Sequence, residues 1–273
     1  MPKEGGALQR LKKDQDGFIS LILTEKIKIT HDTYIFRFGF PDPEMTFGMP
    51  IGNHVMFKAK INGQDEYRKY TPITDVSRKS FVDFVIKIYR ANVHPKFPQG
   101  GKMTQYLENL VVCDVLQLSG PKGKYNYLGY GDFTESGKQL KRKTHIGHLA
   151  GGTGITPCFH VLQSSLRNKD GVQHSMLFGN RTVDDILLHE ELQELAEQHK
   201  DQFKIHFTVD IAPGPEANWT QSVGFMTKDM IKAHMPPPGE GTIILFCGPP
   251  PFVDMLKKVL PEMGYTKEMM LEY

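Results

Sequence analysis

Apolar and polar residues alternate through much of the first half of the chain. Val55, Phe57 and Ala59 are each followed by a more polar residue, a period of two that is typical of a strand with one buried face. Similar runs predict strands over 20–24, 33–38, 84–89 and 115–119, with turns rich in proline and glycine between them. With only one helix predicted, near 103–109, this half is expected to form a small antiparallel β-barrel.

From about residue 145 the apolar runs alternate with stretches of helical periodicity. Buried strands are predicted over 148–150, 176–178, 203–209 and 242–247. Helices are predicted over 155–166, 188–199, 227–234 and 251–259. Strands that alternate with helices are typical of a parallel sheet covered by helices, so we expect a Rossmann-like α/β domain here.

This change in the periodicity of apolar residues predicts two domains. A polar tail over 1–16 precedes a barrel domain over 17–130, a linker over 131–144 and an α/β domain over 145–273. The linker is polar, as domain boundaries usually are. It carries a basic cluster consisting of Lys138, Lys141, Arg142 and Lys143.

Composition and charge narrow the classes of function. Hydrophobic residues make up 39% of the 273 residues and charged residues 23%, as in soluble globular proteins. Because 33 Lys and Arg stand against 31 Asp and Glu, the net charge of +2 does not favour a nucleic-acid partner. Cys113, Cys158 and Cys247 lack metal-ligand spacing, so we expect thiols in a reducing compartment and no metal.

The N-terminal sequence contains neither a signal peptide nor an apolar run long enough to span a membrane. We therefore expect a cytoplasmic protein. Separately, we expect a monomer. Membrane association stays open for a longer form with an N-terminal anchor.

A glycine-rich turn is predicted where the first strand of the second half meets its helix. The sequence Ala-Gly-Gly-Thr-Gly-Ile-Thr-Pro occupies 150–157. Glycines let a backbone approach a phosphate, and a helix N-terminus offers unpaired N–H groups. The dinucleotide-binding motif is matched only in part, because Pro157 stands at its last glycine position. A turn that merely joins strand and helix therefore stays an alternative.

A second turn, Cys-Gly-Pro-Pro-Pro at 247–251, follows the last predicted buried strand. Ligands of open α/β sheets bind at the carboxyl ends of the strands, where both turns are expected to lie. The alternative is a proline-rich turn with a buried structural thiol. The shared sheet edge favours a ligand site.

Two clusters in the first half also suggest phosphate binding. Arg-Lys-Tyr-Thr-Pro at 68–72 combines cations with an aromatic ring and a hydroxyl. Gly-Gly-Lys-Met-Thr at 100–104 opens the predicted helix with a lysine. On its own, the Arg-Lys-Tyr-Thr-Pro cluster is also typical of a sheet face that is exposed to solvent.

In this order and spacing, the four motifs resemble those of the NADH–cytochrome b5 reductase family, within the ferredoxin–NADP reductase superfamily. The resemblance covers about 18–273, including the stretches 81–89, 94–107 and 185–188. It implies a β-barrel that binds FAD and an α/β domain that binds NADH. The implied reaction is hydride transfer from NADH to FAD, followed by single-electron transfer to cytochrome b5 or a similar small acidic haem protein.

The resemblance also implies which residues bind FAD. Arg68 is expected to pair with the pyrophosphate, Tyr70 to pack on the isoalloxazine ring, and Thr71 to hydrogen-bond near flavin N5. The other implied FAD contacts are Lys69, Val85, Lys87, Tyr89, Gly101, Lys102, Met103, Thr104 and Thr156.

The implied NADH contacts lie mostly in the second half: Lys87, Gly152, Thr153, Asp210, Cys247, Gly248, Pro249 and Pro250. Thr71, Lys87 and Cys247 are expected to act in hydride transfer. Asp210 is expected to repel the 2′-phosphate of NADPH, whereas Arg181 departs from the uncharged residue of the family and would attract it. Tyr273 stands where the family usually ends in Phe.

Partner and alternatives follow from the same resemblance. Because cytochromes b5 are acidic, the basic cluster at 138–143 is expected to steer docking, with a solvated linker as the alternative. The flavin domain of an assimilatory nitrate reductase is a second possible identity. A flavin-binding docking module without turnover is a third, disfavoured by Lys87, Asp210 and Cys247.

Overall fold

The computed structural model describes residues 6–93 and 97–273, and the chain forms two compact units, Met1–Gly123 and Lys124–Tyr273. Residues 1–5 of the predicted tail, and 94–96 of the family-like stretch 94–107, lie outside the described residues. The tail is not polar throughout. Its short helix α1 (Ala7–Arg10) buries Ala7 and Leu8 in the core of the first unit.

The first unit is built on six strands: β1 (Ile19–Lys28), β2 (Thr33–Gly39), β3 (His54–Ile61), β4 (Gln64–Tyr70), β5 (Phe81–Lys87) and β6 (Val115–Lys122). They form one sheet in the order β4-β3-β6-β1-β2-β5, and every neighbouring pair is antiparallel. Helix α2 (Lys102–Glu108) packs against β3 and β4. The predicted antiparallel architecture of this half is confirmed.

An aromatic core explains why these strands assemble. The inward residues Phe38, Phe57 and Phe84 are fully buried, and the rings of Phe57 and Phe84 meet edge to face at 4.8 Å. Strand β4 has mostly exposed residues on both faces, so alternation does not predict it. The hairpin turn Asn62–Gly63 pairs it with β3, because positive φ at both residues matches the twist of adjoining strands.

The second unit begins with a small antiparallel sheet of β7 (Tyr125–Gly129), β8 (Asp132–Glu135) and β9 (Lys138–Gln139). Six of the fourteen residues predicted as a linker over 131–144 therefore lie in strands β8 and β9. In the structure this stretch belongs to the same compact unit as the sheet that follows.

A parallel sheet forms the body of the second unit. Its strands are β10 (His145–Gly151), β11 (Gln173–Asn180), β12 (Phe203–Val209), β13 (Ser222–Val223), β14 (Thr242–Cys247) and β15 (Met270–Glu272). Their order is β13-β12-β11-β10-β14-β15. The accompanying helices are α3 (Ile155–Asn168), α4 (His189–Gln198), α5 (Lys228–His234) and α6 (Pro250–Glu262). The predicted Rossmann-like α/β architecture is confirmed.

A buried chain of hydrogen bonds links this sheet to β7. His148 Nε2 lies 3.0 Å from His174 Nδ1, and His174 Nε2 lies 2.7 Å from the Ser165 hydroxyl. That hydroxyl donates to Asp170, which also accepts from the hydroxyl of Tyr127. Burial lowers the pKa of His174 to about 3 and also lowers that of His148, so both rings are neutral near neutral pH.

Among the helices of the described ranges, none is both long and apolar enough to cross a membrane.

Candidate functional site

The end of β4 positions Arg68 and Tyr70 on the inner face of the first sheet. Tyr70 lies opposite Val55 and Arg68 opposite Phe57, and both partners are buried. The Tyr70 ring packs on Phe57 with the ring centroids 4.5 Å apart. Burial raises the pKa of Tyr70, so its hydroxyl is a neutral hydrogen-bonding group near neutral pH.

Glu66 brings two of the predicted phosphate-binding cations together. Its carboxylate lies 3.0 Å from Lys102 Nζ and 3.3 Å from Arg68 Nη1. The hydrogen bond from Lys102, and then the charge of Arg68, lower the pKa of Glu66. The side chains of Arg68 and Lys102 are 53% and 51% exposed, so both remain accessible to an anion from solvent.

Hydrogen bonds fix the start of α2 beside Tyr89, just beyond the end of β5. The Gly101 N–H donates to the Tyr89 carbonyl at 2.8 Å. The Thr104 hydroxyl donates to the Gly101 carbonyl and accepts from the Tyr89 N–H, at 3.0 and 3.1 Å. Met103 is buried beneath this turn. The first N–H groups of α2 have no acceptor within the helix and are available to a ligand.

Strand β5 carries the next predicted residues, and they differ in exposure. Val85 is buried, whereas Tyr89 beyond the strand end is 49% exposed. The Lys87 ammonium lies 2.9 Å from the carboxylate of Asp32, in the turn between β1 and β2. A nucleotide that binds Lys87 therefore has to share this lysine with Asp32 or displace the Asp32 carboxylate from it.

Two predicted residues flank Tyr70. Thr71 follows the end of β4 and is half-buried. Lys69 lies opposite Met56, and because strand side chains alternate, it is on the other face from Arg68 and Tyr70. A contact of Lys69 with a ligand of Arg68 and Tyr70 would involve its main chain.

In the second unit, the two predicted turns are in direct contact. Strands β10 and β14 are neighbours, with Ala150 opposite Cys247. A Cβ atom at Gly154 would lie 2.1 Å from the carbonyl oxygen of Cys247, and one at Gly248 would lie 3.3 Å from the Cα of Gly151. The φ of Gly154 is −64°, so close approach rather than an unusual backbone angle requires glycine there.

The remaining predicted residues of these turns frame an accessible edge. A Cβ atom at Gly152 would meet nothing within 4 Å, so this position faces open space. The Thr156 hydroxyl donates to the Thr153 carbonyl at 3.3 Å. Pro249 is the N-cap of α6 and Pro250 its first residue, where the missing N–H of proline costs nothing.

Cys247 ends β14 in a half-buried position. Burial raises the pKa of its thiol to about 11, so the thiol is neutral near neutral pH. Buried Cys158 and half-buried Tyr273 lie close enough to interact electrostatically with Cys247. The Tyr273 hydroxyl is buried without a hydrogen-bond partner in the part of the chain that the structure describes. Its ring lies 5.6 Å from that of Tyr125.

Asp210 and Arg181 follow the ends of neighbouring strands. The Asp210 N–H donates to the Asn180 carbonyl and the Ile211 N–H to the Arg181 carbonyl, at 2.9 and 3.0 Å. Partial desolvation by neighbouring atoms raises the pKa of Asp210, while the positive charge of Arg181 acts in the opposite direction. Both side chains are exposed.

Sequence reasoning missed Phe225, whose side chain is 79% exposed. The Gly224 N–H donates to the Val209 carbonyl at 2.8 Å, so Phe225 lies beside the strand end that leads into Asp210. A single Phe in a polar segment carries no signal by itself, because most phenylalanines are buried. Its exposure becomes evident only in the folded chain.

Two family models match the sequence. The "Oxidoreductase FAD-binding domain" matches residues 20–127, and the "Oxidoreductase NAD-binding domain" matches residues 149–258.

Relatives match over nearly the whole chain. NADH-cytochrome b5 reductase 2 of Rattus norvegicus is 44% identical over 268 residues, which is 96% of each protein. NADH-cytochrome b5 reductase 2 of Homo sapiens is 42% identical over 268 residues, again 96% of each protein. A solved structure, the cytochrome b5 reductase domain of Ulva prolifera nitrate reductase, is 39% identical with a TM-score of 0.87, covering 96% of this chain and 100% of that domain.

Proposed function

This chain belongs to the NADH–cytochrome b5 reductase family, and on that basis we propose that it passes electrons from NADH, through FAD, to a one-electron haem acceptor. The acceptor is a cytochrome b5 or a similar small acidic haem protein. The chain is an NADH-dependent flavoprotein oxidoreductase, with an FAD-binding domain and an NAD-binding domain. We take it to act as a monomer, which sedimentation of the FAD-loaded protein would test.

The residues of the first unit fit FAD. Arg68 and Lys102 bring two positive charges close together, because both pair with Glu66. The first turn of α2 adds N–H groups, and a pyrophosphate requires both kinds of donor. Tyr70 adds an aromatic ring and a neutral hydroxyl on the same face as Arg68. We assign Tyr70 to the isoalloxazine ring and Thr71 to a hydrogen bond near it. The backbone of 101–104 is assigned to the phosphates.

The residues of the second unit fit NADH, and the contact of its two turns is the observation that carries the proposal. Gly154 and Gly248 allow the backbones of the turns to pack together, while Gly152 faces open space beside them. A nicotinamide nucleotide bound at this edge would meet main-chain atoms of both turns, and the thiol of Cys247. We assign Asp210 to hydrogen bonds from the ribose hydroxyls and the exposed Phe225 nearby to the adenine ring.

When bound, FAD supplies the chemistry of taking up two electrons as a hydride and releasing them one at a time. The protein contributes binding and orientation. The Cys247 thiol and the Tyr70 hydroxyl are neutral hydrogen-bonding groups, and Lys87 is held in position by Asp32. We propose that Thr71, Lys87 and Cys247 orient the reacting groups without transferring protons, because correct placement is itself a large part of catalysis.

A two-step mixing experiment tests the function. The FAD-loaded protein is mixed with NADH without oxygen, and loss of flavin absorbance is followed. Oxidised cytochrome b5 is then added, and haem reduction is followed. Both steps are expected within the time of a catalytic turnover. Flavin that NADH does not bleach would contradict the proposal and favour a docking module without turnover.

The flavin domain of a nitrate reductase is the second candidate, favoured by the match to the whole Ulva prolifera domain. The same flavin chemistry is expected in that case. The full-length transcript distinguishes the two, because a nitrate reductase would encode a haem-binding segment ahead of Met1.

A further inference from the structure

Two histidine rings stack face to face in the second unit. His206 lies in the middle of β12, and His234 is the last residue of α5. Their ring centroids are 3.7 Å apart, and the ring planes differ by only 12°. Both residues are half-buried, so solvent reaches them. We call these two residues the histidine pair.

Strand alternation explains how α5 and β12 come to share this contact. Phe207 packs against His189 of α4, with the ring centroids 4.9 Å apart, so the side chain of His206 lies on the opposite face of the sheet. Leu177, the register partner of His206, belongs to the same core cluster as Ile231 of α5. The histidine pair therefore joins the sheet to α5 beside this core.

The ring nitrogens of the pair are mostly open to a ligand. His206 Nε2 lies 2.8 Å from the Ser222 hydroxyl. In the part of the chain that the structure describes, His206 Nδ1 and both ring nitrogens of His234 have no hydrogen-bond partner. Partial burial lowers the pKa of both rings, so each is neutral near neutral pH and carries one unprotonated nitrogen.

The other stacked pair of the second unit shows the difference. The rings of His148 and His174 lie 5.3 Å apart at an angle of 18°. These rings are buried and hydrogen-bonded to each other, and His174 also bonds to Ser165. Their nitrogens are therefore closed to an ion from solvent, whereas those of the histidine pair are accessible.

The spacing of the histidine pair suits a shared metal ion. Neutral imidazole nitrogens are good ligands for divalent transition-metal ions such as Cu²⁺, Ni²⁺ and Zn²⁺. Two such nitrogens on one ion are about 3 Å apart, because each metal–nitrogen bond is about 2 Å long. The ring centroids of the pair are 3.7 Å apart, so a modest turn of each ring directs one nitrogen of each residue at the same ion.

We propose that the histidine pair binds a divalent transition-metal ion, with one nitrogen from each residue and with water in the other coordination positions. The ion joins β12 to α5. These two elements bracket the segment 210–227, because β12 leads into Asp210 and α5 begins three residues after Phe225. Neither histidine is among the residues assigned to FAD or NADH, so the proposal does not depend on the proposed function.

Trp219, the one tryptophan of the chain, reports on the pair. Its indole N–H donates to the Ser222 carbonyl at 3.1 Å, and the hydroxyl of the same serine lies against His206. Paramagnetic ions such as Ni²⁺ quench the fluorescence of a nearby indole. An ion on the histidine pair is therefore expected to quench Trp219.

The test follows the fluorescence of Trp219 in the FAD-loaded protein while NiCl₂ is added in the absence of NADH. His234→Gln is the test variant, because it removes one of the two ligands at the end of a helix. His145→Gln is the matched control, since His145 is exposed in the same unit, at the start of β10. Far-UV circular dichroism and flavin absorbance verify that each variant is folded and loaded.

The parent and His145→Gln are expected to show the same saturable quenching, which EDTA or an excess of diamagnetic Zn²⁺ reverses. His234→Gln should raise the Ni²⁺ concentration for half-maximal quenching about tenfold or more, because a single imidazole remains as ligand. Equal concentrations for the parent and His234→Gln would overturn the proposal. Quenching of the parent that increases linearly without saturation would also overturn it.

A second measurement needs no variant that alters the pair. In NMR spectra of the parent protein with labelled histidines, a small amount of Ni²⁺ should broaden the imidazole signals of His206 and His234 before those of the other histidines. Broadening that begins at other histidines, or at all of them equally, would overturn the proposal even if His234→Gln did not fold.

Discussion

Cys247 can be tested at the scale of a single residue. Its neutral thiol lies at the end of β14, in the turn that contacts Gly154. We expect Cys247→Ala to slow flavin bleaching by NADH about tenfold, a loss of roughly 1.4 kcal/mol in the transition state, because the nicotinamide is held less well. Stopped-flow absorbance of the FAD-loaded variant measures this.

FAD content and folding serve as the control for Cys247→Ala, because Cys247 belongs to the second unit. A variant that folds but cannot retain FAD would contradict the assignment to NADH. The parent rate should also show no thiol ionisation between pH 6 and 9, since its pKa is raised to about 11.

Nucleotide preference depends on Asp210 and Arg181. Asp210 is expected to make NADH the better substrate, because a carboxylate repels a 2′-phosphate. Arg181→Gln should lower kcat/KM for NADPH about five-fold, as removal of a cation weakens phosphate binding, and change that for NADH less than two-fold. Steady-state kinetics with both nucleotides measure this. An NADPH rate equal to the NADH rate in the parent would show that Asp210 does not select.

Motifs indicate which residues to assign to the cofactors, but not what surrounds those residues in the fold. The sequence indicates Lys87 as a functional cation, yet only the fold brings Asp32 within 2.9 Å of it. The resemblance implies an FAD contact for Lys69 as for Arg68 and Tyr70, whereas strand geometry places the Lys69 side chain on the opposite face. Long-range partners of this kind have no signature in a single sequence.

At the scale of elements, the contact between the turns after β10 and β14 makes a sharp prediction. Gly154→Ala would place a methyl group 2.1 Å from the carbonyl oxygen of Cys247, and only a backbone shift relieves the clash. We expect a loss of about 2–3 kcal/mol in the free energy of unfolding, together with weaker NADH binding. Urea titration and NADH titration measure these two effects.

Gly239→Ala is the matched control, because a Cβ atom there would meet nothing within 4 Å. It should change the free energy of unfolding by less than about 0.5 kcal/mol. Similar losses in both variants would show that the two turns are not tightly packed.

Elements were predictable where one face is strongly apolar. The runs that became β3, β5 and β14 stood out in this way, and they bury Phe57, Phe84 and Phe246. Strands β4, β8 and β9 did not stand out, because their residues are mostly polar. Their pairing partners and turns make them strands, and those depend on tertiary structure.

At the scale of the whole molecule, the buried histidines predict acid sensitivity of the second unit. The pKa of His174 is about 3 when folded, against an ordinary value of 6.5. As pH falls from 6.5 towards 3, the unfolded chain binds a proton that the folded chain refuses, so the free energy of unfolding decreases. The loss approaches about 1.4 kcal/mol per pH unit for each such histidine.

Trp219, the one tryptophan of the chain, lies in the second unit and reports its unfolding by fluorescence. His174→Gln should flatten the dependence of the free energy of unfolding on pH between 6.5 and 4, whereas His145→Gln, at an exposed position, should not. Equal slopes in both variants would assign the acid sensitivity to other groups.

The net charge of +2 does not indicate a partner, because nearly equal numbers of basic and acidic residues can be unevenly distributed over the surface. The basic residues at 141 and 142 are compensated by acidic neighbours, whereas Lys69 and Lys122 form no ion pair with an acidic residue of 6–93 or 97–273. That distribution depends on which strands are neighbours, so it follows from the fold rather than from composition.

The carboxylate shared by Arg68 and Lys102 has a consequence for how the newly made protein acquires its flavin. Glu66 serves as a resident counter-ion, so part of the positive charge of Arg68 and Lys102 is already neutralised before any dinucleotide arrives. When FAD binds, its pyrophosphate then replaces the Glu66 carboxylate as the partner of the two cations. The electrostatic part of the binding free energy is the difference between these two sets of ion pairs. Because Glu66 competes with every phosphate, other phosphate compounds in the cell bind less readily at Arg68 and Lys102. Selectivity for FAD then depends on the parts of the molecule other than its phosphates.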